Sequence, residues 1–185
     1  TIVIVLVGGF PAPESVQAKG TLQIMVTDAP PEEEVTSIMV TVESVEVHKA
    51  AAQQEPEESA GNSTDEGAGW FPLGILAGNE TFDLLQIQGI EEVLAVSELE
   101  PGNYTQIRMT IGNVQVRLGD GELQDVVVPS GTLKFVHPFS IVEGQTTALL
   151  FDFDAEKSVN VTGSGQIIVK PVVKLSTTTP QKVEP

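Results

Sequence analysis

The chain has no cysteine and little positive charge: of 185 residues, nine are Lys or Arg against 26 Asp or Glu, a formal net charge of −17. Without cysteine there are no disulfides, no thiolate metal sites and no cysteine nucleophile. So negative a surface repels phosphate backbones and anionic lipid heads, which excludes nucleic acid as a partner. Aromatic residues are scarce as well, at 5%. No apolar run approaches the roughly 20 residues of a membrane-spanning helix, so no stable transmembrane segment is expected. Catalytic spacing is also missing. His48 and His137 are far apart and read as polar residues at strand ends, and Ser164 in "GSG" lacks a G-x-S-x-G elbow. No glycine-rich phosphate loop follows a strand, so an enzyme is not expected.

What the chain has is alternation. Hydrophobic residues make up 41%, enough for one buried core with arms. In "TLQIMVTD", Leu22, Ile24 and Val26 share one face. In "VTSIMVTVESVEVH", Ile38, Val40 and Val42 share a face until the phase slips at Glu43-Ser44, the mark of a β-bulge. "WFPL", anchored by Trp70, and "ETFDLLQI" read as short strands, while "GIEEVLAVSEL" reads as loop with one helical turn. "LEPGNYTQIRMTIGNVQVRLGDGELQDVVVP" reads as a meander, in which Leu99, Pro101, Gly102 and Tyr104 resemble a tyrosine corner. Later strands are "TLKFVHPF", "FSIVEG", "QTTALLFDFD" with Leu149, Phe151 and Phe153 inward, "SVNVTG" and "GQIIVKPVVKL". Pro171 confines the last of these to an edge or a bulge. Many short strands with almost no helix predict an all-β fold, an antiparallel Greek-key, immunoglobulin-like β-sandwich. The expected organisation is an apolar strand at 1–7, a Gly/Pro linker at 8–19, a sandwich at 20–175 with an acidic surface loop at 50–69, and a Thr/Pro-rich tail at 176–185.

Four of the five asparagines open an N-x-[ST] triplet: Asn62, Asn79, Asn103 and Asn160. Chance would give about one, so N-linked glycans and an extracellular or cell-surface location are expected. The chain starts at Thr1 without methionine, so upstream processing is expected; "SVQA", ending at Ala18, resembles a small-residue cleavage site after an apolar stretch, but the arm is read as retained. Asp152 and Asp154 of "FDFDAEKS", with Asp28 of "TDAP", are the candidates for a hard-cation site such as Ca²⁺, which needs several converging oxygens. They read equally as solvated strand-end acids or partners of Lys157.

Several stretches, "GTLQIMVTDAP", "VTVESVEVHK", "FDLL", "LEPGNYTQIRM", "VPSGTLKF", "EGQTTALLFDFDAEKSV" and "IIVKPVV", together resemble an uncharacterised family of secreted, often membrane-tethered domains of archaea and bacteria. The resemblance runs from Gly20 to Leu175. It implies an exported β-sandwich and no particular activity, and it leaves the N-terminal arm and the acidic insertion after Lys49 unexplained.

The arm decides the functional expectation. Ile2, Ile4 and Leu6 point one way along an extended strand, and Val3, Val5 and Val7 the other. A strand apolar on both faces belongs where both faces are buried, and burying six such side chains contributes on the order of 10 kcal/mol before entropy. Its linker lets it fold back or reach a neighbour. In the second case it completes another subunit's sheet, and such head-to-tail contacts propagate into a homopolymer. The architecture, without any motif match, resembles the donor-strand assembly of biofilm-matrix fibres, archaeal bundling pili and threads. The expectation is a filament subunit that partners itself. The alternative is a secreted or membrane-tethered binding module for glycans or Ca²⁺.

Overall fold

Each alternating apolar row becomes a strand, because one pleated face can be buried while the other stays wet. The computed structural model describes residues 18–29, 35–51, 69–126, 128–129, 131–163 and 166–179. The strands are β1 (Gly20–Ala29), β2 (Val35–Lys49), β3 (Gly69–Pro72), β4 (Thr81–Asp83), β5 (Glu92–Leu99) and β6 (Gly102–Leu118). They continue with β7 (Gln124–Asp125), β8 (Thr132–Ile141), β9 (Thr146–Asp154), β10 (Val159–Val161), β11 (Ile167–Val169) and β12 (Val173–Thr178). A short helix, α1 (Ala155–Ser158), follows β9. The arm at 1–7, most of the linker, the bulk of the acidic loop and the end of the tail lie outside the described residues.

Two sheets form a sandwich-like all-β body. One has the order β12-β9-β1-β5; the other has β3-β2-β6-β7, with β4 also on β2 and β8 on β6, and β10-β11 is a separate hairpin. The core lies between them, where Leu22, Ile24, Leu149, Phe151 and Phe153 of one sheet meet Val40, Val45, Ile107 and Met109 of the other. Phe135 of β8 stands edge-on to Phe151 at 5.3 Å, so aromatic contacts tie the sheets together.

The predicted bulge is present. The β2–β6 register steps from Val42↔Ile111 to Ser44↔Thr110, skipping Glu43. The tyrosine corner is present too: the buried Tyr104 hydroxyl donates to the Glu100 carbonyl at 3.0 Å. "GQIIVKPVVKL" is not one strand: Pro171 separates β11, in the hairpin, from β12, which lies at the edge of its sheet among the described strands.

Other expectations need correction. "GIEEVLAVSEL" is not a loop with a helical turn, because its last eight residues form β5. Leu94 is skipped where the β1–β5 register shifts, and it is buried beside Ala95, so the strand's alternation is broken. The sandwich is not wholly antiparallel, because β1 and β9 pair in parallel. The segment around Pro101 is not a meander turn, since β5 and β6 lie in different sheets and the chain crosses between them there. "ETFDLLQI" is a strand only as far as Asp83; the Asp83 carboxylate accepts from Leu85 N and caps a 3-10 turn, Leu84–Gln86. The first residues of the expected tail, Ser176 to Thr178, complete β12.

Candidate functional site

Three sets of residues bear on function, and the sequence marked two of them. Among the sequons, Asn62 lies outside the described residues. Asn103 opens β6 with its side chain in solvent, its Oδ1 accepting from Ser140 Oγ at 2.8 Å. Asn160 sits exposed in β10. Asn79 differs: it is half-buried, and its Nδ2, the atom a glycan would occupy, donates to the Val93 carbonyl at 2.6 Å. That bond ties the turn before β4 to β5.

The three aspartates are not gathered together. Asp28 has the parity of Leu22, Ile24 and Val26 and is 5% exposed, and its Oδ1 accepts from Ala155 N at 3.0 Å. Asp152 alternates with Phe151 and Phe153 on β9 and so faces outward, opposite Lys174 of β12. Asp154 also faces outward and caps α1, accepting from the Lys157 backbone N–H and side-chain ammonium. The Lys157 hydrogen bonds hold the Asp154 carboxyl below its ordinary value. Among the described residues no group of three or more His, Asp or Glu side chains is placed to hold a metal.

The third set was not found from the sequence. On the outer face of the six-stranded sheet, the Arg108 guanidinium lies 4.2 Å from the centre of the Trp70 ring. The same guanidinium grips Glu46 in a fork, Nε to Oε2 at 2.6 Å and the second nitrogen to Oε1 at 2.9 Å. His48 stands edge-on to Trp70 at 5.2 Å. The hydrogen bond from Arg108 holds the Glu46 carboxyl below its usual range. Period-2 spacing on β2 and β6 puts Glu46, His48 and Arg108 on one face, but only the pairing His48↔Trp70 and Glu46↔Arg108 brings three strands together. His137 is elsewhere, its Nε2 3.2 Å from Thr177 Oγ1 across the open side of the sandwich.

Among the described residues no helix is long and apolar enough to cross a membrane. An all-β sandwich-like body with surface sequons and an aromatic, charged outer face defines the general class. Within that class, residues 19–171 match the family described as "Domain of unknown function (DUF4382)", and the chain belongs to it. No curated protein and no solved structure matches the chain.

Proposed function

We propose that the chain is a structural subunit of an extracellular filament. In this reading it is an N-glycosylated Greek-key, immunoglobulin-like sandwich whose segment Thr1–Val7 adds as a strand to a neighbouring copy. The observation that carries the reading is a mismatch between that segment and the domain beside it. Among the described residues the core is built from strands between Gly20 and Thr178, and the family match begins at residue 19. A segment apolar on both faces that precedes the family domain is expected to seek burial, and a neighbouring copy can supply it. The crossings from β5 to β6 and from β8 to β9 support the Greek-key reading, as does the tyrosine corner. Exposed Asn103 and Asn160 support glycosylation and hence a location outside the cell. No catalytic step and no resident cofactor is assigned. The test is negative-stain microscopy of the full chain beside a chain lacking residues 1–7. Filaments that vanish on deletion, with the circular dichroism of the sandwich unchanged, support the reading; equal polymerisation of both chains overturns it.

A second reading, a secreted or membrane-tethered binding module, draws on the Trp70 face. An aromatic ring framed by Arg108, Glu46 and His48 offers both a stacking surface and hydrogen-bond partners to a glycan. Dispersed single particles in the micrographs, with glycan binding abolished by Trp70→Ala, would favour it.

A further inference from the structure

The filament reading leaves open where the arm docks, and the sandwich has one side suited to it. Among the described residues β12 ends its sheet and β8 pairs only with β6, so each leaves an edge without a described partner strand, and His137 and Thr177 bridge the two strands. Between them the core is incompletely covered. Leu133 and Phe135 of β8 and Val173 and Leu175 of β12 pack on the core yet remain half-exposed. A hollow of about 260 Å³ lined by Pro129, Leu133, Lys170 and Pro171 opens at one end of this seam. Val172, just before β12, is 41% exposed beside it.

The two edges are not equivalent. β8 carries Pro138, and its register with β6 shifts between Tyr104 and Gln106, which blunts it against strand addition. β12 runs in unbroken register with β9 from Val173 to Thr178 and contains no proline. Its free edge can therefore accept a strand, with β8 as the wall behind. Resting on the filament reading, we infer that the free edge of β12, walled by β8, is the acceptor for Thr1–Val7 of a second copy.

Length, polarity and charge agree on that occupant. Seven extended residues span about 23 Å and the six of β12 about 20 Å. An arm apolar on both faces can set one row on Leu133, Phe135 and Leu175, and lay its other row beside Val172 and the Lys174 stem on the outward face of β12. Stretches 131–142 and 170–179 hold three lysines and no aspartate or glutamate, in a chain of net charge −17. Two such chains meet with least repulsion there. The linker is long enough to reach either the chain's own seam or a neighbour's, so the experiment must separate the two.

The absence of cysteine makes disulfide trapping free of background. Four full-length double variants, Val3→Cys or Val5→Cys combined with Lys174→Cys or Thr177→Cys, scan the pairing register under mild oxidation. A disulfide-linked ladder on a non-reducing gel is the expected result, because directly opposed strand residues bring Cβ atoms within bonding reach. Val172→Lys, at an exposed residue beside β12, should leave folding intact and weaken polymerisation about tenfold. Disulfides confined within single chains would put the arm on its own sandwich and overturn the inference. Polymers that require the arm but give no cross-link, and are indifferent to Val172→Lys, would overturn the seam and spare the filament. A wild-type chain that never polymerises would remove both.

Discussion

Tyr104 is the chain's one tyrosine, so its ionisation can be followed directly by the ultraviolet absorbance of the phenolate. Burial, reinforced by the nearby Glu100 carboxylate, pushes its pKa up to about 12. The folded chain thus prefers the protonated phenol more than the unfolded chain does. The stability this contributes is whole below about pH 10, the ordinary tyrosine value, and is lost as pH rises through about 12. The absorbance titration of the native protein should be centred near pH 12, and thermal stability should fall over the same interval. Tyr104→Phe should remove that alkaline limb and, by deleting the bond to the Glu100 carbonyl, cost about 1 kcal/mol at neutral pH. Gly20 is constrained differently. A Cβ there would lie 2.4 Å from the Val142 carbonyl oxygen, where backbone must move to admit it. Gly20→Ala should therefore cost about 1–3 kcal/mol in a denaturant titration.

β9 is the element on which the two sheets depend. It pairs with β1 and β12, and its Phe151 and Phe153 reach Phe135 and Phe82 of the opposite sheet. Phe151→Ala should cost about 3–5 kcal/mol, the usual loss for a fully buried aromatic. β9 was also among the most legible elements, since Leu149, Phe151 and Phe153 alternate without interruption. β5 was not, because the bulge at Leu94 puts Leu94 and Ala95 side by side in the interior and imitates helical spacing. The bulge in β2 was readable because long alternating runs lie on both sides of Glu43. Which strands become neighbours was beyond local pattern. The parallel β1–β9 pair and the Trp70–Arg108–Glu46 cluster both arise from residues far apart in the chain. β5 also sets the state of one sequon. With Asn79 Nδ2 held by the Val93 carbonyl, a sugar can be attached there readily only before β5 docks. Glycosylating the refolded chain should modify Asn103 and Asn160 and spare Asn79, as read by peptide mass spectrometry.

Across the whole molecule, charge is the term opposing self-association. Each subunit carries a net −17, and like charges on neighbouring copies repel over a screening length of about 10 Å in 0.1 M salt and about 3 Å in 1 M. The arm proposed to join them is uncharged, and the stretches proposed to receive it are free of acids. Salt should then weaken the repulsion without removing any attraction. Polymerisation followed by light scattering is expected to strengthen as sodium chloride rises, and again as pH falls toward the carboxylate range. An interface built on ion pairs such as Lys49–Glu100 would respond to salt in the opposite sense. The low-pH limit is set by the fold itself. The pairing of Glu46 with Arg108 and of Asp154 with Lys157 depresses both carboxyls below their ordinary values of 4.5 and 3.8. Their contribution is complete above those values and is lost as pH falls through the lowered ones. Assembly should consequently weaken again once pH falls far enough to discharge these paired carboxylates. Polymers that dissolve as salt is raised would show that the subunits are held by charge, and would rule out an uncharged arm as the joint.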